Sequence, residues 1–445
     1  MSGEQDKFDA LVVGAGPAGL SAALCLARRG LRVVVLERGE TAGSKNLGGL
    51  LYSTQLEELV PDFLAQVEAG QAPVERAVAR RRIVFLGPER HLSLDFGAEA
   101  WGHPPYNRTW TVHRPAFDRW FARRAEEEGA GLVEGAVVDG LLYEGEGLTR
   151  RAVGVALRGD EQFRADVVLL ADGAHGLVSQ AAVRELGLRG RHAQHFALGV
   201  KETISLPAGV IEDRFGLEPG SGAAIDFIGV PFDGLIGGGF IYTQRETVSL
   251  GFAGRLESLR QAGVEPGEVL DRFKRHPEVR RLLRGGELLE YGAHLIPEGG
   301  IDAVPHMAGN GVLLLGDAAG LVNMSLYKEG TNHAMESGRL AAEAVRQARA
   351  AGDFSRAGLA GYERAMAGSL ALADLGKVRE LPRILETTPE LLSLYPDRVS
   401  RLLVDWFTVN ADAKAALQKR AIKDFFAGLS KLKLVRDLLR ARRLM

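Results

Sequence analysis

The segment from Asp9 to Glu37 constrains the fold more tightly than any other part of this 445-residue chain. A short apolar run, Asp9-Ala-Leu-Val-Val13, leads into Gly14-Ala15-Gly16-Pro17-Ala18-Gly19; residues 17–29 then carry a helical pattern and 32–36 read as a second strand. GxGxxG is informative only in such a setting, between a strand and a helix. Gly14 permits the tight turn, Gly16 lets the backbone approach phosphates, and Gly19 allows close helix–strand packing, so that the helix N-terminus faces an anion. Glu37 follows 18 residues after Gly19, where a carboxylate accepts hydrogen bonds from ribose hydroxyls. The chain therefore opens on a parallel α/β unit that binds a dinucleotide.

Two later turns bear on which dinucleotide. Ala165-Asp-Val-Val-Leu-Leu-Ala171-Asp172-Gly173 is a strand ending in Asp-Gly, and Gly311-Val-Leu-Leu-Leu-Gly316-Asp317-Ala318-Ala-Gly320 is another ending in Gly-Asp-Ala. Either alone reads equally well as an ordinary turn. Together, behind the N-terminal fingerprint, they resemble the large FAD family of aromatic hydroxylases and geranylgeranyl reductases. The resemblance implies FAD, with Asp317 on its ribityl chain and pyrophosphate, the Asp172-Gly173 turn near the nucleotide and Arg114 near the phosphates. Arg38, Val138, Ala171, Gly176 and Gly316 are further contacts on the same grounds. A helix starts near Gly330-Thr331-Asn332, and in the resembled fold its N-terminus points at the flavin pyrimidine ring. A positive helix end with free N–H groups stabilises negative charge on a reduced flavin.

Between these segments the pattern changes. Residues 53–75 are loop-helical, and alternation in Arg82–Leu86 and His91–Phe96 predicts antiparallel strands around Gly87-Pro88. Arg114 to Glu128 reads as an amphipathic helix with Phe117, Trp120, Phe121 and Ala125 on one side. Residues 190–290 are glycine-rich with short alternating runs, and the chain is mostly helical from about 333. The expected class is α/β: a discontinuous Rossmann-type FAD-binding domain with an inserted antiparallel β-sheet domain and a helical C-terminal region. FAD-binding parts are expected at 1–180 (with a sheet insertion near 76–104) and 295–345, the sheet domain at 181–294 and the helical region at 346–445.

Most of the chain is similar to FixC and its relatives, and to electron-transfer flavoprotein:quinone oxidoreductase. The similarity rests on Gly43-Ser44-Lys45-Asn46-Leu-Gly48-Gly49-Leu-Leu-Tyr52, Val112-His-Arg114-Pro-Ala-Phe117-Asp118-Arg-Trp120 and Gly237-Gly-Gly-Phe240-Ile-Tyr242-Thr243. It continues through Tyr291-Gly-Ala-His294-Leu-Ile-Pro297-Glu298-Gly299-Gly300 and the Gly316-Asp317 segment. It implies flavin contacts from Ser44, Lys45, Asn46, Gly48 and Gly49. One departure lies in this loop: relatives usually have an extra residue before Gly-Gly and an arginine where this chain has Leu50. The quinone oxidoreductases carry a four-cysteine iron–sulfur domain, whereas FixC-type proteins rely on a separate ferredoxin-like subunit. With a single cysteine, Cys25, this chain holds neither such a cluster, nor a disulfide framework, nor a cysteine-rich zinc site. The resemblance thus implies an electron-transfer flavoprotein (α and β subunits), a ferredoxin-like iron–sulfur subunit and a quinone as partners.

Composition narrows the setting. A net charge of −2 gives no global basic field for nucleic acid. No apolar run reaches the ~18–20 residues that span a bilayer, and the polar start MSGEQDKFD lacks the features of a signal peptide. Residues 411–445, however, hold ten Lys/Arg against three Asp, with Ile422, Phe425, Phe426, Leu429, Leu432 and Leu439 at near-helical spacing. Such a tail is a solvated helix, a partner-docking helix or a membrane-surface helix. The expected location is cytoplasmic, peripheral on the inner face of the cytoplasmic membrane. The apolar stretches 223–232 and 235–242 read either as core sheet or as the wall of a quinone channel. Quinone reduction also needs protons, and His294, Tyr242 and Glu298 are donors or structural groups with equal standing. No catalytic side chain and no metal-ligand set is assigned. The function expected is FAD-dependent electron transfer from an electron-transfer flavoprotein to a membrane quinone. The competitors are a geranylgeranyl-reductase-like enzyme, a monooxygenase and a docking subunit with little turnover of its own.

Overall fold

The computed structural model describes residues 7–441 except Lys45 and Asp233, and leaves aside the side chains of Lys431 and Ala441. Lys45, the first six residues, and Arg442 and Arg443 of the basic tail therefore lie outside the described residues.

Uninterrupted apolar runs such as Val33–Leu36 and Val312–Leu314 form parallel strands covered on both faces. Phe8–Val13 lies between Val33–Leu36 and Gln162–Leu170; Val312–Leu314 pairs with the outer side of Gln162–Leu170, and Gly131–Val133 with Val33–Leu36. The register carries the functional consequence. Val13 stands opposite both Leu36 and Leu170, and Leu170 opposite Leu314. Segments some 150 residues apart thus end level, and the turns that follow them meet at one edge. An antiparallel hairpin, Val138–Glu144 with Arg151–Leu157, extends this layer from Gln162–Arg164.

The second sheet has nine strands and joins what the sequence suggested as two insertions. Arg76–Leu86, with His91–Gly97 antiparallel beside it, pairs directly with Ser221–Gly229. That one contact is parallel, so the inserted sheet is mixed rather than wholly antiparallel. Alternation sorts its side chains. Ile225, Phe227, Ile241 and Val200 face a core formed with the helices Ala208–Phe215, Pro266–Arg275 and Pro277–Leu283. Phe240, Tyr242, Lys201 and His294 lie on the opposite face, toward the parallel layer. One face of segment 223–242 is thus core sheet, and the other lines the space between the two layers.

Every residue of the Pro17–Ala27 helix is buried. The 21-residue helix Thr331–Ala351 crosses it so closely that a Cβ on Gly338 would lie 2.2 Å from the Ala18 carbonyl oxygen. The C-terminal helices Leu381–Thr387, Leu394–Phe407, Lys414–Phe426 and Lys431–Ala441 follow. Arg255 of the second sheet ties them in: it pairs with buried Glu298 and with the half-exposed Glu386 of the Leu381–Thr387 helix.

Candidate functional site

Between the level strand ends and the second sheet runs a cleft of about 1350 Å3, counted to its open mouth. Its floor is the glycine turn, and the three glycines divide their work as their spacing predicts. Gly14 has φ +104°, and a Cβ there would sit 2.4 Å from the Ala171 carbonyl oxygen; one on Gly19 would sit 2.0 Å from that of Gly14. These two hold helix and strands together. At Gly16 a Cβ would meet no atom within 4 Å, because that position faces the cleft.

Two helices aim their first turns into this space. Pro17–Ala27 and Thr331–Ala351 both lack a side-chain cap and any acidic residue in the first turn, and Pro17, Ala18, Gly330 and Thr331 line the cleft. Their unpaired N–H groups and positive dipole ends favour an anionic ligand. Side chains add to that field. Arg114 donates to both carboxylate oxygens of Asp118 at 2.9 and 2.8 Å, which fixes the guanidinium at the cleft wall. Lys201 has no ion pair among the described residues; it donates to the Gly48 carbonyl at 3.3 Å, and burial together with Arg114 lowers its pKa to about 8. The enclosing protein, Lys201, Arg114 and Arg38 hold His294 down to about 4, so its ring is neutral near pH 7. Opposite, burial raises the Asp317 carboxyl while Arg114 opposes the shift.

Of the residues singled out in the sequence, Gly16, Pro17, Ala18, Asn46, Gly48, Gly49, Arg114, Ala171, Gly173, Asp317, Gly330 and Thr331 line this one cleft. Glu37 does not line the cleft; beneath the glycine turn its carboxylate accepts from the N–H groups of Ala15 (2.8 Å) and Gly39 (2.6 Å), with the Ser44 hydroxyl against Gly39. The Asp172 carboxylate turns away to accept from Ser179 N–H at 3.1 Å in the first turn of the Leu177–Glu185 helix, whose N-cap is Gly176. Gly316 (φ +58°) packs against Ala18 and Ala334. Arg38 is exposed, and Val138 begins the outer hairpin. Asn332 is buried away from the cleft, its side-chain oxygen accepting from Thr54 Oγ1 and Gln55 N–H. Leu50, at the position where relatives carry arginine, lines the cleft beside Phe240. Among the proposed proton donors, Glu298 is committed to Arg255, whereas His294 and Tyr242 face the cleft. Lys201 and Lys328 were not anticipated; each places its ammonium over the Phe240 ring, at 5.8 and 5.4 Å. Their only sequence signal is a charge at an inward position of an alternating strand or in a glycine-flanked loop.

A second cavity of about 1170 Å3 adjoins the cleft across the Gly48–Tyr52 strand and the 326–329 loop. Tyr52 lines this second cavity, accepting from Arg81 Nη2 at 2.8 Å and donating to the Tyr327 carbonyl at 2.7 Å. Phe96, Trp101, Leu326 and Tyr327 line the cavity, and Phe96, Leu326 and Tyr327 are exposed. The Leu394–Phe407 helix packs on the strand that bears Leu94 and Phe96, and itself exposes Leu403, Val404 and Phe407. None of the described helices is long and apolar enough to cross a membrane.

The level parallel strands, the uncapped helix ends and the facing sheet define an FAD-binding oxidoreductase. A family model described as FAD binding domain matches residues 7–204, one described as ETF-QO, ubiquinone-binding matches 196–296, and one described as ETF-QO/FixC family C-terminal domain matches 381–445. A probable electron transfer flavoprotein-quinone oxidoreductase of Escherichia coli, YdiS, is 41% identical over 417 residues, 93% of this chain and 94% of that protein. The FixC protein of Azorhizobium caulinodans is 40% identical over 425 residues, 94% of each. The chain belongs to the family of FixC and the electron transfer flavoprotein-quinone oxidoreductases.

Among solved structures, a geranylgeranyl bacteriochlorophyll reductase-like protein from Thermoplasma acidophilum has a TM-score of 0.69 at 19% identity, covering 99% of both chains. A flavin-dependent brominase has 0.61 at 17%, covering 95% of this chain and 100% of its own. These two likenesses show the fold alone. The residues present fit FAD: Gly16 leaves a cradle that a Cβ would fill, two uncapped helix ends and Arg114 suit a pyrophosphate, and Asp317 faces the same space.

Proposed function

We propose that this protein takes electrons from an electron-transfer flavoprotein, with a ferredoxin-like iron–sulfur subunit in the path, and passes them through FAD to a membrane quinone. The observation that carries the reading is the second cavity, which lies across the Gly48–Tyr52 strand and the 326–329 loop from the flavin cleft and opens among Phe96, Leu326 and Tyr327. A flat ring with an apolar tail seated there, among Arg81, Arg108 and Asp226 as well as the aromatic rings, approaches the flavin cleft across that strand. The matches to family models and relatives named for quinone and electron-transfer flavoprotein support it.

FAD, when bound, supplies the redox chemistry. The chain's own residues bind and tune it. Gly16 and the first helix end hold the pyrophosphate; Arg114, Lys201 and the Thr331 helix end make the surroundings positive, which favours added electrons. His294, neutral at physiological pH, and Tyr242, whose phenol burial pushes well above its ordinary value, both line the flavin cleft.

The iron–sulfur partner is inferred because the one cysteine, Cys25, is buried in the Pro17–Ala27 helix. The membrane face is inferred from exposed Leu403, Phe407, Ile422, Leu432 and Leu439 interspersed with the basic groups of the tail. On this reading the protein sits peripherally on the inner face of the cytoplasmic membrane. The donor side is tested by anaerobic mixing of the holoprotein with a reduced electron-transfer flavoprotein, with and without the ferredoxin-like subunit. Flavin reduction by that donor and not by NAD(P)H is expected; rapid reduction by NAD(P)H alone would replace this reading with a monooxygenase.

A further inference from the structure

Beneath the start of the Thr331–Ala351 helix lies a side-chain cluster to which the redox reading gives no role, although its Glu329 also lines the second cavity. His333 is 1% exposed, and neither ring nitrogen has a hydrogen-bond partner among the described residues. A buried imidazole with both nitrogens unsatisfied is rare and requires an explanation. Its Nε2 points between two carboxylates, 3.4 Å from Asp374 Oδ2 and 3.7 Å from Glu329 Oε2. All three atoms lie within 4.8 Å of one another, yet no hydrogen bond joins His333 to either carboxylate.

Those separations match the edges of a coordination shell. Ligand bonds of about 2.1 Å at a tetrahedral angle put donor atoms about 3.4 Å apart. We propose that Glu329, His333 and Asp374 form a binding site for a divalent first-row transition metal ion, linking the start of the long helix to the Leu370–Lys377 helix.

The surroundings meet the further requirements of such a site. One imidazole and two carboxylates carry a formal charge of −2, which a dication neutralises, and the set suits zinc or manganese. Glu329 is held by its neighbours: its N–H donates to the Asn323 carbonyl at 3.0 Å, and its Oε1 accepts from Asn332 Nδ2 at 2.8 Å, leaving Oε2 for the ion. Asn332 is fixed in turn by Thr54 and Gln55, an outer shell that orients the ligand. Asp374 is 45% exposed, which provides an entry path and room for a water ligand. The site is invisible in the sequence, because Asp374 follows His333 by 41 residues and no spacing motif joins them.

The test uses flavin-loaded, full-length protein, treated with chelator and then dialysed to equilibrium against Zn2+. One Zn2+ per chain is expected, with a rise in melting temperature on loading. Asp374→Asn, at a half-exposed position outside the flavin cleft, should weaken binding at least tenfold and abolish the rise while leaving flavin content unchanged; His333→Gln should weaken Zn2+ binding likewise. Equal Zn2+ binding by the parent protein and Asp374→Asn, or no stoichiometric binding by the parent, would overturn the assignment.

Discussion

Replacing Gly16 with alanine separates cofactor binding from folding more cleanly than any other single change. Gly16 caps the Pro17–Ala27 helix at φ −84° and ψ 177°, a conformation any residue adopts, and an added Cβ would touch nothing within 4 Å. Alanine is the poorer N-cap by about 1 kcal/mol, but it restricts the unfolded chain by about 0.4–1 kcal/mol. The apoprotein should therefore keep its stability to within about 1 kcal/mol. The methyl group projects into the space that a phosphate must approach, and overpacking of that kind costs about 1–3 kcal/mol. At 1.4 kcal/mol per tenfold, FAD should bind about 5- to 150-fold more weakly. The assay is removal of flavin, fluorescence titration of the apoprotein with FAD, and thermal unfolding of the same samples. Gly19→Ala is the contrast: its Cβ would lie 2.0 Å from the Gly14 carbonyl oxygen and 2.9 Å from Val12 Cγ1, so the apoprotein itself should lose stability. Parental FAD affinity in Gly16→Ala, or a loss of apoprotein stability equal to that of Gly19→Ala, would refute the reasoning.

Three other expectations follow from the cleft and the sheet beneath it. His294 has a folded pKa of about 4, below the ~6.5 of an unperturbed histidine. The native state therefore binds fewer protons than the unfolded chain between those values, and stability falls as pH falls through that window. His294→Gln apoprotein should lose less stability than the parent between neutral pH and pH ~4.5, and parallel stability curves would contradict this. Lys201→Met removes a cation from the cleft wall; losing a charge-assisted contact of about 1.5–3 kcal/mol lowers the two-electron flavin potential by roughly 30–60 mV. An equilibrium redox titration reads that shift, and an unchanged potential would exclude Lys201 from tuning. Arg76 is 3% exposed and donates to the carbonyls of Gln244, Ser221 and Arg245 and to Glu212. Arg76→Met leaves those acceptors unpaired and should cost about 3–5 kcal/mol in denaturant unfolding; a loss below ~1 kcal/mol would show that water replaces the guanidinium.

The parts of the site legible in the sequence are those whose chemistry is local. The Gly14–Gly19 turn, the Arg114–Glu127 helix, the hairpin that sets Leu86 opposite His91 and the helix start at Thr331 each follow from neighbouring residues. Their convergence does not. It depends on the register that sets Val13 level with Leu36 and Leu170, a property of strand pairing that no single segment contains. The same limit explains the parallel contact between Arg76–Leu86 and Ser221–Gly229, which joins strands more than 130 residues apart. The helices between 256 and 283 are short, seven to ten residues set among glycine-rich strands, although Pro266–Arg275 does bury Val269, Leu270 and Phe273 along one face. Lys201 was missed for a related reason. Alternation marks it as facing away from Val200, but only the three-dimensional stacking of the two layers shows that this face is the cleft.

The central claim is that electrons held by the cleft leave to a quinone through the second cavity. Stopped-flow mixing of anaerobically reduced holoprotein with a soluble quinone analogue measures this directly. The account predicts flavin reoxidation that saturates with quinone concentration, and that Trp101→Ala or Tyr327→Ala, in the second cavity, raises the half-saturating concentration while leaving FAD content intact. Reoxidation that is slow and linear in quinone concentration, and indifferent to both substitutions, would contradict it.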